Sequence, residues 1–111
     1  MKSEINYDQF EQLDLRVGEV MVASLPDWSE KLIRYEIDLG EDLGRRVMFS
    51  GIREWYEPED LIGKKYVFVV NMKYKKMGPE ESQGMMIMAE HEGRPVLMPV
   101  DGKIVNGSVV R

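Results

Sequence analysis

The amino-acid sequence predicts an all-β chain: a small five-stranded barrel with a short N-terminal helix and C-terminal extension strands. Three observations lead there. Apolar, β-branched runs alternate with turn signals at the spacing of roughly 8–12 residues typical of small barrels and sandwiches. The first run changes phase at Gly18, as a strand does where it bends. A helical turn interrupts the pattern after the third strand.

The elements follow in order. Asn6 or Ser3 can cap a short helix running to about Gln12, with Tyr7 and Phe10 on one face. "LDLRVGEVMVASL" (13–25) alternates Leu13, Leu15 and Val17, then Val20 and Val22 beyond Gly18, and reads as the bent first strand. "PDWSE" is a turn. In "KLIRYEIDLG" (31–40), Ile33, Tyr35, Ile37 and Leu39 alternate with Leu32, Arg34, Glu36 and Asp38, a half-buried second strand. "GEDLG" connects it to the return strand "RRVMFS" (45–50). Pro58 opens a helical turn that Gly63 ends. "KKYVFVVN" (64–71) is the most apolar run and reads as a central strand. Residues 73–82 are expected as a loop and "GMMIMAE" (84–90) as the next strand. Beyond the "HEGR" turn, "PVLMPV" and "IVNGSVVR" around "DGK" read as a last hairpin. The bent first strand and the helical insertion favour an OB-type barrel over an immunoglobulin-like sandwich. Such barrels offer one open face and its loops to nucleic acid.

Residues 1–111 fit one domain with a single core. Hydrophobic residues make up 43% and charged residues 32%, an ordinary folded composition. No apolar run approaches the ~18 residues of a membrane span, and the polar start "MKSEINYDQFEQ" carries no signal-peptide core, so a cytoplasmic protein without membrane partners is expected. The chain has no cysteine, which removes disulfides, thiolate catalysis and thiolate metal ligands. Its one histidine, His91, sits in the turn "AEHEGRP" and reads as solvent-exposed. No phosphate-loop or dinucleotide spacing is present. No catalytic residue, metal site or cofactor is expected, and the chain reads as a binding protein rather than an enzyme.

The net charge is −5, but it is unevenly placed. Between Gly63 and Gly78 stand Lys64, Lys65, Lys73, Lys75 and Lys76 with no carboxylate, so this segment is +5 and the remainder −10. A basic face on an acidic body can bind phosphates while being repelled from wrong partners. A solvated lysine cluster would look the same in sequence. The next residues add other chemistry. Ser82 and Asn71 can donate and accept hydrogen bonds. Gly84 permits close backbone approach. Met85, flexible and polarisable, can lie against a base or sugar. Strand alternation assigns Met86 and Met88 to the core. Asn71 serves equally well as a strand-end turn residue. Trp28, Trp55 and Tyr56 could stack on RNA, or pack over a barrel end or an interface.

Four pieces of this sequence, in order and spanning most of the chain, resemble the tRNA-binding domain family. They are "LDLRVGEV" (13–20) for the family's D-x-R-V-G strand, "EKLIRYEIDLG" (30–40) for its acidic-Lys-Leu strand, "SGIREWYEPEDLIGKK" (50–65), and "NMKYKKMGPEESQGMMIMA" (71–89) for the stretch ending in Ser-x-Gly-Met. That family includes the C-terminal domain of many methionyl-tRNA synthetases, a cytokine-like synthetase accessory domain and small dimeric tRNA-binding proteins. The resemblance implies an OB-fold, no catalysis, and structure-specific binding of tRNA at its folded corner, with no DNA binding expected. The residues it implies as tRNA contacts are Lys31, Asn71, Lys73, Lys76, Ser82 and Met85; Ser50, Arg53 and Lys75 flank the same expected surface. The sequence departs from the family pattern at "LPDWSEKL", which lacks the usual His-Pro, at Tyr74 in place of proline, and at Gly78-Pro79 in place of a basic residue and glycine. The last change removes one phosphate contact.

Two partner readings accompany this one. Both ends of the chain carry apolar residues, Ile5, Tyr7 and Phe10, then Ile104, Val105, Val109 and Val110, more than so small a core can absorb. Pairing them across a twofold axis would bury them, and the resemblance also implies a homodimer. Members of the family also include export-related chaperone-like proteins that bind peptides and modules that dock on aminoacyl-tRNA synthetases. A peptide- or synthetase-binding module is therefore the alternative function.

Overall fold

A computed structural model describes residues 1–111 as an OB-like all-β fold with a nearly closed, barrel-like sheet. The N-terminal helix α1 is one turn, Tyr7–Phe10. Asn6, not Ser3, caps it: its side chain accepts from the Gln9 amide at 3.0 Å, and the Gln9 side chain accepts from the Asn6 amide at 2.9 Å. That reciprocal pair is a capping box.

Strand β1, Leu15–Ser24, holds the centre of the sheet, with β2 (Ile33–Asp38) and β4 (Lys65–Val69) antiparallel on its two sides. The expected central strand 64–71 is β4, an interior strand paired on both sides, with Tyr66, Phe68, Val69 and Val70 all buried. The expected bulge also moves. Register shifts between Val20 and Val22, opposite Ile37 and Glu36, rather than at Gly18. Gly18 has a different reason to be glycine. A Cβ there would lie 2.5 Å from Ile37, 2.7 Å from Leu39 and 3.1 Å from Phe68, so the strand passes directly under the core.

The alternation of β2 holds as read: Ile33, Tyr35, Ile37 and Leu39 are buried. A one-turn helix α2, Gly40–Leu43, joins β2 to β3, Arg45–Ser50, where a plain hairpin connection was expected. A 3-10 turn at Pro58–Asp60 precedes β4. Residues 75–82, expected as loop, form a hairpin of β5 (Lys75–Met77) and β6 (Glu80–Ser82). A short β7, Met85–Met86, then pairs with β4.

The final residues do not make the expected last hairpin. Instead β8 (Ala89–His91) folds back on β9 (Arg94–Val96) around the "HEGR" turn. The chain then runs along the barrel, with the Val100 amide on the Lys65 carbonyl, and ends as β10, Val109–Val110, beside Leu15 and Arg16 of β1. These are the C-terminal extension strands.

The barrel closes between β3 and the segment 82–84. The Gln83 amide bonds the Val47 carbonyl at 2.9 Å, and the Gln83 side chain accepts from the Val47 amide at 2.8 Å. One residue earlier, the Ser82 hydroxyl accepts from the Phe49 amide at 3.1 Å. Side chains thus complete a ladder that two backbone edges alone leave open, as buried amides require. Inside, Tyr35 and Phe68 rings meet at 6.4 Å among the fully buried aliphatic side chains.

Candidate nucleic-acid interface

The lysine stretch is held as a flap over β2 and Trp28. Glu80 on β6 accepts three hydrogen bonds from Arg34 of β2 through both carboxylate oxygens, at 3.0 to 3.2 Å, and Glu36 accepts a fourth at 3.0 Å. The Glu80 bonds, against partial burial, hold the Arg34 guanidinium above its ordinary pKa. Arg34 is thereby matched by two carboxylates and adds no free charge to the face. At the hairpin tip Gly78 adopts φ +55, and a Cβ there would lie 2.6 Å from the Trp28 ring. Trp28 packs in turn on Phe49 with centroids 5.5 Å apart. So Trp28 is the flap's seat. The departure to Gly78-Pro79 puts a glycine where the tip must lie flat on an indole.

Between this flap and the end of β3 lies a groove of about 330 Å³. Met72, Met77, Met85 and Met88 line it with Phe49 and Ile52, and Lys73 and Lys75 stand at its margin with Ser50 and Ser82. The floor at Gly84 is tight: φ is +145, and a Cβ would meet Met48 at 2.5 Å and the Val69 carbonyl at 2.7 Å. Gly51 continues the groove into a second depression, of about 670 Å³, that holds Lys31, Arg53 and Trp55. None of Lys31, Lys73, Lys75 or Lys76 forms an ion pair with a carboxylate; the ion pairs of the chain lie at Arg16, Arg34 and His91.

The structure gathers most of the expected contacts and gives several of them other duties. Lys73, Lys75, Ser50, Ser82 and Met85 share the groove; Lys31 and Arg53 adjoin it. Met85 is 46% exposed while Met86 is buried, matching the alternation. Lys76 is exposed but follows Lys75 on the strand and does not line the groove. Ser82 is only 4% exposed, and its hydroxyl is engaged by the Phe49 amide and donates to the Gly84 carbonyl at 3.3 Å. Ser50 shares a 2.6 Å hydrogen bond with the buried Tyr35 hydroxyl, whose pKa burial drives up. Arg53 donates to the Ser29 carbonyl and braces the loop carrying Lys31. Asn71 lies elsewhere. It accepts from the Asp14 amide at 2.8 Å and donates to the Gln12 carbonyl at 2.6 Å, tying the N-terminal segment to the end of β4.

Sequence reasoning missed Met72 and Met77 as groove walls and Gln83 as a closure residue. It also missed Arg46, which donates to the Val70 carbonyl at 2.6 Å and lies 6.0 Å from the centroid of the Tyr74 ring. The replacement of proline by Tyr74 thus gives Arg46 a ring to lie against. Nothing local in sequence announces that Arg46 of β3 also reaches the Gln83 carbonyl, at 3.2 Å, and so joins the segment after β4 to the segment before β7.

A second groove, of about 300 Å³, lies between Tyr7 and Phe10 of α1 and Val109 and Val110 of β10; Asn71 lines it, next in the chain to Met72 of the lysine groove. Its charge is internally matched, Arg16 bonding Asp14 at 2.7 Å. Ile5, Tyr7 and Val109 are more than half exposed, as is Val105, with Ile104 and Phe10 somewhat less so.

Comparison with known proteins places this geometry. Residues 15–109 match the family model described as "Putative tRNA binding domain". The chain belongs to the tRNA-binding domain family. It is 42% identical over 110 residues to the methionine–tRNA ligase of Lactiplantibacillus plantarum, a match covering 98% of this chain and 16% of that protein. The chain thus spans 16% of the length of that curated relative. Among solved structures it is similar to a MetRS related protein from Pyrococcus horikoshii, with TM-score 0.93, 38% identity and coverage of 99% of this chain and 100% of the other. It is also similar to the chaperone CsaA of Bacillus anthracis, with TM-score 0.87, 32% identity and coverage of 98% and 100%.

Proposed function

We propose that this chain is a non-catalytic tRNA-binding protein that grips folded tRNA along the groove between β3 and the β5–β6 hairpin. The observation that carries the reading is the set of unpaired lysines, Lys73 and Lys75 at the groove and Lys31 beside it, on a body that is otherwise acidic. Ammonium groups supply phosphate attraction that does not depend on sequence. Lys76 adds to that field from the outer face of the flap. Met85 and Met72 offer soft apolar contact to a sugar or an unstacked base. Ser82, Ser50 and Arg53 act by shaping the surface, and Asn71 by fixing the N-terminal segment. Since shape and 2′-hydroxyls mark RNA, folded tRNA should be preferred over a DNA hairpin.

The second part of the proposal is a homodimer through the α1–β10 groove, where the apolar side chains of α1 and β10 are exposed together. A twofold pairing there would bury those side chains. Likeness to methionine–tRNA ligases and to a MetRS related protein supports an accessory role beside such a synthetase.

A peptide-binding reading is favoured by one feature, the four methionines of the groove, and by likeness to a protein titled as a chaperone. A gel shift separates the two. Folded tRNA should bind more tightly than unfolded RNA or a DNA hairpin, and binding should fall steeply between two salt concentrations. A shift absent at low salt, with salt-insensitive capture of an apolar peptide, would reverse the order.

A further inference from the structure

The two tryptophans are almost equally exposed, at 37% and 40%, but differ in what touches them. Trp28 is capped by Gly78 and backed by Phe49. Trp55 is 40% exposed, pairs with no other ring, and its indole N–H has no hydrogen-bond partner. Its backbone is nonetheless fixed, since the amides of Trp55 and Tyr56 both bond the Ile52 carbonyl, at 3.0 and 3.1 Å.

Trp55 also stands where two depressions meet. On one side is the depression with Lys31, continuous with the lysine groove through Gly51. On the other is a third, of about 410 Å³, whose lining includes Tyr56, Asp60, Lys64 and Tyr66. Tyr56 is locked there, donating to the Pro95 carbonyl at 3.0 Å. The Tyr66 hydroxyl is buried with no partner, a polar group that a ligand edge could satisfy. Asp60 uses one oxygen on the Glu57 amide and keeps the other as an acceptor. Lys64 forms no ion pair with a carboxylate.

We infer that Trp55 is a stacking platform for an unpaired nucleobase, in a binding track that runs from the lysine groove past Lys31 to Lys64. The inference rests on the tRNA-binding reading and extends its surface. Charge along the track fits. Glu30 and Glu54 stand beside Lys31 and Arg53, so the middle of the track is close to neutral and suits a base face. Lys73 and Lys75 at one end and Lys64 at the other suit phosphates. The depression beyond Trp55 offers polar edges at Asp60 and Tyr66 where a stacked base would present its own.

Trp28→Phe leaves Trp55 as the sole tryptophan of the chain, so its emission reports the site. Titration with folded tRNA should quench that emission in step with the gel shift. In the parent protein, Trp55→Leu should weaken binding about 5- to 150-fold, the range for losing one base stack, with the salt slope unchanged, and Trp55→Phe should restore most of it. Lys64→Gln should instead flatten the salt slope by roughly 0.7–0.9. A gel shift with tRNA in which Trp55 emission stays constant and Trp55→Leu binds like the parent overturns the stacking site and leaves the tRNA-binding reading standing. No gel shift by the parent overturns both. If Trp28→Phe melts early, the Leu and Phe variants at position 55 decide alone.

Discussion

The two grooves of this molecule are similar in size, and both are part apolar, yet their charges are arranged in opposite ways. At the α1–β10 groove Arg16 is already bonded to Asp14, Glu11 and Arg111 bring one charge of each sign, and Tyr7, Phe10 and Val109 stay exposed. At the flap Arg34 is neutralised by Glu80 and Glu36, and lysine stays exposed beside methionine. Unmatched cations keep their attraction for an outside polyanion; matched ions around an apolar patch favour a partner with a similar patch. In the proposed function, that contrast is the reason for giving RNA to one groove and a second copy of the chain to the other.

The largest expected effect breaks the α1–β10 groove. Val109→Asp would place a carboxylate in the proposed dimer interface, where uncompensated burial costs several kcal/mol. Sedimentation should turn from dimer to monomer while the melting curve of the monomer stays close to that of the parent. A dimer that survives this change places the interface elsewhere.

Next comes a test that separates scaffold from contact within the flap groove. Ser82→Ala leaves the buried Phe49 amide without its acceptor, which should lower unfolding stability by about 1–3 kcal/mol. The salt slope of tRNA binding should not move. A variant as stable as the parent, yet weaker for tRNA, would make the hydroxyl a direct contact.

Asn71→Ala should be milder. It removes two hydrogen bonds at an exposed site, about 0.5–1.5 kcal/mol each at most. Its effect belongs to the α1–β10 groove, so dimer affinity should change more than tRNA affinity.

The smallest expected effect lies at alkaline pH. Burial raises the pKa of Tyr35 and of Tyr66, where Asp60 and Tyr56 add to the shift. In the unfolded chain these phenols ionise near pH 10, before they do in the fold. The folded state then binds more protons, so stability is full below about pH 10 and declines above it. Urea titrations at pH 8 and 10.5 should show this decline, and Tyr35→Phe should reduce it.

What the sequence made legible was periodic or local. Alternation in residues 33–39 marked the buried face of β2, and Asn6 with Gln9 marked the cap. The lysine cluster and Met85 were visible as types that suit RNA, and the structure sets Lys73, Lys75 and Met85 together. What it hid was long-range. Arg34 and Glu80 are 46 residues apart, and their pairing ties the β5–β6 hairpin, expected as a loop, to β2. Ser82 reads as a polar loop residue, yet it lies opposite the amide of Phe49 on the other edge of the barrel. The tail misled for the same reason: its apolar run binds β1 and β4 rather than itself. Gly18 signalled a constraint correctly but of the wrong kind, close packing instead of a bulge.

The central claim is that the unpaired lysines at the flap hold the phosphates of folded tRNA. The salt dependence of tRNA affinity, measured for the parent and for Lys73→Ala/Lys75→Ala, tests it most directly. Each lost phosphate contact flattens the slope of log affinity against log salt by roughly 0.7–0.9, so the double variant should lose about 1.4–1.8 of the slope with an unchanged melting curve. A double variant with the parent's slope and affinity would contradict the claim and leave the groove to a peptide.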